Sequence, residues 1–387
     1  MIIGHYDSEM WSKGGVASYI RRVSQYQKSA GHTVYYFSHC SAEASDPSEV
    51  PIIVADNEEL FAKAQNLQVD ILHVHKGLRI TPPQNLAVIR TLHGHQPYCP
   101  SGSRYLKRWK CPCDRPYTPL GCFWGHVVDH CGSVKPEKLL FNFDYTQWEK
   151  RVLPNMPTLV VSQFLKDQML RAGYPSEMIH VLRLFAPSVM NELPPPQTDI
   201  PHFVFLGRIA PQKGLEWLLK SLQKVSTPVH LDIAGDGYQE LEMRTLAERL
   251  HLEQKVTFHG WVSPNQVHDL IRGARALIFP SIWHEPGGTV AFEAMANSRA
   301  TIMSRVGGMP EVVLDGVNGL IVSPNDVNEL AQSIEKLAQN WELAKQLGVQ
   351  GRKIAEDYTL QNHIEQLMNF YHETIAHTSG SATVNQS

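Results

Sequence analysis

Short apolar runs alternate along this chain with longer stretches whose apolar residues recur at a helical period. Ile2–His5 and Val34–Phe37 suit buried strands. Between them Val16–Ala30 carries Val16, Tyr19, Ile20 and Val23 at helical spacing, and Gly31 follows in the position of a C-terminal cap. Asp70–His75, Ala87–Leu92 and the run starting Leu159–Ser162 continue the strand pattern, with a helix at Phe164–Ala172, ended by Gly173, and a strand at His180–Phe185. Residues 96–135 break the alternation with a polar, aromatic, cysteine-rich insertion, and long irregular loops in compact domains are usually functional or mobile. Phe141–Leu153 then reads as an aromatic-rich helix, and the proline-rich Leu193–Pro201 as a linker.

A second alternation follows at once. Strands are expected at His202–Leu206, Val229–Ala234, Val256–Phe258, Ala276–Phe279 and Thr301–Ser304. Helices are expected at Leu215–Val225, Gln239–Leu250, Pro264–Gly273, Thr289–Ala296, Pro310–Leu314, Asn328–Gln339, Trp341–Tyr358 and Leu360–Ile375. The class is α/β, with two Rossmann-like βαβ domains and a ligand cleft between the carboxyl ends of their sheets. The expected divisions are 1–192, a linker at 193–201, a second domain at 202–359, a last helix at 360–376 and a polar, disordered tail at 377–387.

A length of 387 residues suits two domains, and a net charge of −3 gives no bulk argument for a nucleic-acid partner. The N-terminus lacks the basic and apolar regions of a signal peptide, and no apolar run approaches the length of a membrane span. A cytoplasmic protein is expected, with peripheral contact at the inner face of a membrane left open.

The chemistry gathers in FPSIWHEPGGTVAFEAMAN, Phe279–Asn297. A strand stops at Pro280, and a helix opens directly after two glycines. The amides of Gly287, Gly288 and Thr289 at that helix start form an anion site. Glu285 and Glu293 repel phosphate, so they face hydroxyls instead, as a sugar or ribose would supply. At the end of an earlier strand, Arg208 and Lys213 flank a short loop in GRIAPQKG, where two cations would neutralise a diphosphate. Gly14 and Gly15 stand at the first strand-to-helix turn without a GxGxxG pattern, and a tight turn explains them as readily as phosphate does.

GRIAPQKG, IAGDG, HEPGGTVAFEAMA and GGMPEVVLDGVNGLIV, in that order, together with GGVASYI, DILHVH and TLHGH upstream, resemble retaining glycosyltransferases of the GT-B fold, family-four type. The resemblance implies transfer of a sugar from a nucleotide-diphospho-sugar to a hydroxyl acceptor, which could be a glycan, a lipid-linked glycan or a small molecule. By resemblance Glu285 addresses the donor sugar, Glu293 the ribose, and Arg208 and Lys213 the diphosphate. Gly287, Gly288 and Thr289 serve through backbone amides, and Gly14 and Gly15 approach the phosphate across the cleft. His93 lies near the donor sugar, while His73, His75 and His95 have weaker claims. The segment Phe258–Val262 is similar to the family's base-binding loop, mostly through backbone. The family usually carries a bulky residue where this chain has Gly287. Front-face displacement without a divalent cation is implied, as is a last helix crossing back to the first domain. An epimerase or phosphorylase of the same fold, or a binding protein that has lost catalysis, are the rival readings. Asp236 reads as a turn residue, and Glu311 as a favourable helix start.

Five of the six cysteines, Cys99, Cys111, Cys113, Cys122 and Cys131, fall within the insertion, with His126 and His130 nearby. A structural zinc is one reading, although the spacing is not that of paired CxxC motifs; buried thiols are the other. Tyr105, Leu106, Lys107, Arg108, Trp109 and Lys110 form an aromatic-basic patch suited to a lipid-linked or glycan acceptor or an anionic membrane, or else a solvated loop.

Overall fold

The computed structural model describes residues 1–12, 14–41, 46–188 and 193–384. Two parallel sheets carry the chain, as the alternation predicts. The first contains β1 (Ile2–Tyr6), β2 (Thr33–Ser38), β3 (Ile52–Ile53), β4 (Ile71–Val74) and β5 (Val88–Leu92). After a two-stranded antiparallel ribbon, β6 (Tyr105–Leu106) with β7 (Cys111–Pro112), it resumes with β8 (Thr158–Val160) and β9 (Ile179–Val181). Its order is β3-β2-β1-β4-β5-β8-β9. The second sheet contains β10 (His202–Leu206), β11 (His230–Ala234), β12 (Val256–Gly260), β13 (Ala276–Phe279), β14 (Ala300–Ser304) and β15 (Leu320–Val322), ordered β12-β11-β10-β13-β14-β15. In each sheet the order reverses beside the first strand, and crevices at such switch points, beyond the carboxyl ends, are where open α/β sheets bind ligands.

Each sheet buries both faces, which is why its strands read as continuous apolar runs. Along β10, Phe203 and Phe205 enter one core while Val204 and Leu206 enter the other. In the first sheet Ile3, Ile71 and Ile89 share a core with Ile364 and Leu367 of the last helix, Leu360–Val384. That helix is therefore part of the first domain's core although it follows the second in sequence. Polar contacts match the packing: Tyr371 Oη lies 2.6 Å from His73 Nδ1, and Tyr19 Oη 2.9 Å from His363 Nε2.

Three expectations are corrected. The tail expected to be disordered from 377 continues the last helix to Val384, with Thr378 and Ser379 hydroxyls donating to the carbonyls of Thr374 and Ile375; residues 385–387 lie outside the described residues. Pro310–Leu314 is not a helix beyond the 3-10 turn Met309–Glu311, because Asn318 folds back and accepts from Leu314 N at 2.6 Å. The insertion is ordered by the ribbon and by a helix, Pro119–Val127, whose start is capped by the Thr118 hydroxyl.

Arg90 on β5 pairs at 3.1 Å with Glu149 of the helix Pro136–Val152, both at most 2% exposed. Removing one partner strands a buried charge, which costs about 3–5 kcal/mol. Glu149→Ala is expected to lower the denaturant midpoint accordingly, and Arg90→Met with Glu149→Leu to recover most of the loss. Equal stability of Glu149→Ala and wild type would contradict the pairing.

Candidate active site

Three glycines let the donor-side loops converge. At Gly214 φ is 76°, and an added Cβ would stand 1.8 Å from the Pro280 carbonyl oxygen, so only glycine lets the turn Pro211–Lys213 close on the end of β13. Ile282 N and Ser281 Oγ donate to Gln212 O, and Trp217 Nε1 donates to Pro280 O, locking the two segments together. On the other side Gly307, at φ 57°, lies so close to Glu285 that a Cβ would come within 2.3 Å of its carbonyl, and Gly308 N donates to that same oxygen at 2.8 Å. The sequence reading passed over Gly307 and Gly308, although their adjacent glycines in GGMPE carried the signal.

This frame brings Lys213 Nζ to 2.7 Å from Glu285 Oε1, with both side chains mostly buried. The Ser281 hydroxyl lies 2.7 Å from the same oxygen, its one proton shared between that carboxylate and Gln212 O. The ammonium also lies 4.8 Å from the Trp283 ring centre and 5.2 Å from that of Phe279, a cation held against two aromatic faces. Arg208 sits exposed just beyond β10, with no hydrogen bond or ion pair among the described residues.

The helix Thr289–Ala296 begins after Gly288, whose φ of 62° is left-handed and which offers no side-chain cap. The amides of Gly287, Gly288 and Thr289 are without hydrogen-bond partners among the described residues. One turn on, burial raises the Glu293 carboxyl above the usual carboxylate range, opposed by the charge of Arg22 on the first helix, Gly15–Ser29. Glu293 thus feels the opposite domain.

A Cβ at Gly287 would point into the first domain, 2.9 Å from Leu184 Cδ1 and Val161 Cγ2. The departure from a bulky residue therefore bears on how closely the domains meet. Gly287→Phe is expected to open this seam, lowering stability by about 1–3 kcal/mol through overpacking and increasing the radius of gyration in solution scattering. An unchanged scattering profile and denaturation midpoint would contradict it.

On the facing sheet, His93 follows β5, with Nε2 3.3 Å from His75 Nδ1 and Tyr19 edge-on at 5.1 Å. Burial, then the charges of Arg90 and His363, lowers its pKa to about 3, so it is neutral at neutral pH. Gly14 and Gly15 are exposed, with open space where a Cβ would project. Val262 packs its side chain on the core under the second sheet, leaving its backbone as what it could offer. The structure thus joins Lys213 to Glu285, just ahead of the Gly287–Thr289 amides in the second domain, and places His93 in the first.

Two seam residues take roles that the sequence does not show. His95 Nε2 lies 2.7 Å from His284 O, so it donates there, and its Nδ1 accepts from Tyr98 Oη at 2.6 Å. His95 therefore holds the residue before Glu285 from the opposite domain. Glu311, read as favouring its own helix, instead accepts from Gln163 N and Phe164 N at the start of the helix Gln163–Arg171 and pairs with Arg183. The ring nitrogens of His5, His73 and His75 are close enough for a metal, but they are engaged with one another, Gln27, Tyr371 and Thr91.

Comparison with known proteins gives the family and the fold. The family described as Glycosyl transferases group 1 matches residues 192–354, and Glycosyltransferase Family 4 matches residues 13–185. An uncharacterized glycosyltransferase of Methanocaldococcus jannaschii is 30% identical over 178 residues, 45% of this chain and 45% of that protein, so under half of that relative's length is matched. The alpha-maltose-1-phosphate synthase of Mycolicibacterium smegmatis is 30% identical over 285 residues, 65% of this chain and 72% of that protein. Sucrose-phosphate synthase from Thermosynechococcus elongatus superposes with a TM-score of 0.74 at 19% identity, over 97% of this chain and 99% of that one. Anabaena HepE in complex with UDP-glucose gives 0.69 at 17%, over 96% and 100%. These two likenesses show the fold.

Proposed function

Because the chain belongs to the glycosyl transferases group 1 family and has the GT-B fold, we propose that it moves a sugar from a nucleotide-diphospho-sugar to a hydroxyl acceptor with retention of configuration. The observation that carries this reading is the Lys213–Glu285 pair beside unpartnered helix amides and the exposed Arg208. In the absence of donor, Lys213 and Glu285 neutralise each other in a mostly dry site. An incoming diphosphate competes for Lys213 and frees Glu285 to accept from sugar hydroxyls. As the glycosidic bond breaks, negative charge grows on the departing diphosphate. Lys213, Arg208 and the Gly287–Thr289 amides are already oriented to receive it. Front-face attack then lets that phosphate take the acceptor's proton. His93 is neutral with Nε2 engaged, so Nδ1 is the nitrogen it presents to the donor sugar. Glu293 takes the ribose, the backbone around Val262 the base, and the loop at Gly14 and Gly15 closes over the phosphates.

The acceptor belongs to the first domain. The helix Pro119–Val127 exposes Leu120, Phe123, Trp124 and Val127 at helical spacing, an apolar stripe beside Lys107, Arg108 and Lys110. This supports a lipid-linked acceptor or contact with an anionic membrane face. Among the described residues no helix is long and apolar enough to cross a membrane.

The test is a thermal-shift screen against UDP-, GDP- and ADP-sugars, followed by turnover and the anomeric configuration of the product. A donor at a hundred times its Kd is expected to stabilise by about 2.7 kcal/mol. No response and no turnover with any of them would overturn the reading. Turnover is further expected to persist in EDTA, since two cations and the helix amides supply the charge balance. Loss in EDTA with recovery on adding Mg²⁺ would contradict that.

A further inference from the structure

Four of the insertion's cysteines, Cys99, Cys113, Cys122 and Cys131, line one cavity of about 260 Å³, while the fifth, Cys111, does not. The ribbon and the helix Pro119–Val127 create this convergence.

The cavity wall is also polar in a way its own contacts do not satisfy. His126 is 1% exposed; its Nδ1 donates to Cys122 O at 2.8 Å and lies 3.7 Å from Cys131 Sγ, while its Nε2 has no partner among the described residues. Arg104 Nε and Tyr105 Oη, of residues lining the same cavity, are likewise buried without partners among the described residues. Buried polar atoms are rarely left so, and several around one thiol-lined space indicate a missing polar or charged occupant.

Size decides what that occupant is. A single zinc, bonded at about 2.3 Å, draws four sulfurs to within roughly 3.8 Å of one another. Among the described residues no three of these sulfurs lie within 4.8 Å of one another. The space exceeds several-fold the roughly 30 Å³ that one water occupies. A cluster that carries its thiolates on separate corners suits the wider arrangement. We propose that Cys99, Cys113, Cys122 and Cys131 ligate a [4Fe–4S] cluster that holds the insertion in shape, with Arg104 and His126 as polar neighbours of its sulfurs.

Three polar contacts among the described residues tie the insertion to the donor-side domain, whose core also takes in Tyr105. Asp114 Oδ1 accepts from His284 Nε2 at 2.8 Å, Lys110 Nζ pairs with Glu216 at 2.7 Å, and Lys110 O accepts from Asn325 Nδ2 at 2.7 Å. His284 immediately precedes Glu285. The cluster therefore also steadies the loop that carries Glu285, a consequence that rests on the transfer reading. The metal itself does not, and its measurement is independent of activity.

The experiment is iron, zinc and acid-labile sulfide analysis of the full chain purified anaerobically from iron-replete cells, with its visible spectrum. About four irons and four sulfides per chain, with broad absorption that bleaches on reduction, are expected. Cys99→Ser, Cys113→Ser, Cys122→Ser and Cys131→Ser should each lose most of the iron, while Cys111→Ser keeps it. One zinc per chain, or a folded wild-type protein with neither iron nor zinc, overturns the proposal, as does iron lost equally from Cys111→Ser. The wild-type analysis decides even where a variant fails to fold.

Discussion

Lys213→Ala is expected to lower kcat with the nucleotide-sugar donor by on the order of 10²–10³-fold, the range seen when one pre-oriented stabiliser of a developing negative charge is removed. The lysine is held 2.7 Å from Glu285 and against two aromatic faces. Little solvent remains there to replace it, and its charge costs no reorganisation as the diphosphate departs. KM for donor should rise less than kcat falls, since the interaction strengthens as the bond breaks. Arg208→Ala should cost less, because that guanidinium is exposed and water substitutes for part of it. The substitution also leaves Glu285 mostly buried with only the Ser281 hydroxyl as partner, so Lys213→Ala is paired with Lys213→Ala/Glu285→Gln, which relieves the stranded charge. Turnover within a few-fold of wild type in a folded Lys213→Ala protein would remove Lys213 from the chemistry.

Acid is expected to unfold the first domain well above the carboxylate range. His5 and His363 have pKa values lowered to about 4 and His95 to about 3, while His73 and His75 lie well below the usual histidine value; burial is the leading cause in each. All five are at most 5% exposed. In the unfolded chain each titrates near 6.5, so below that pH the unfolded state binds protons that the folded state refuses. Their stabilising contribution is complete above about pH 6.5 and falls as pH drops through that value, by about 1.4 kcal/mol per pH unit for each histidine, until each group's own lowered pKa is reached. At pH 5.5 the combined loss is several kcal/mol, a large share of the roughly 5–15 kcal/mol that holds a domain. Urea midpoints at pH 7.5, 6.5 and 5.5 test this, and a flat profile would show that the histidine cluster takes up protons without unfolding.

The histidines illustrate what a sequence leaves open. DILHVH and TLHGH place His73, His75, His93 and His95 at strand ends, and the resemblance turned attention to His93. Burial separates them by a different criterion. His73 is consumed by Tyr371, which arrives from the last helix 298 residues away, and His95 by the His284 carbonyl across the seam. Neither partner is near in the chain, so no local pattern could have paired them. Likewise Gly287 stood out as a departure, but the direction of its missing side chain, toward Val161 and Leu184, follows from how the domains meet.

What the sequence determined by itself was periodic and local. Strand-and-helix alternation specified two parallel sheets, because buried parallel strands must be apolar on both faces and their crossovers must be helical. The order of GRIAPQKG, HEPGGTVAFEAMA and GGMPE brought Arg208, Lys213, Glu285 and Glu293 forward as candidates. Only the tertiary structure decided that Lys213 meets Glu285 across 72 residues, that Gly307 and Gly308 hold Glu285 from behind, and that four of five clustered cysteines share one cavity while Cys111 stays outside. The physical reason is common to all three. Spacing along a chain restricts which residues can face the same way, but distance between segments depends on loop closure and side-chain direction, which are settled only when both sheets and the last helix pack.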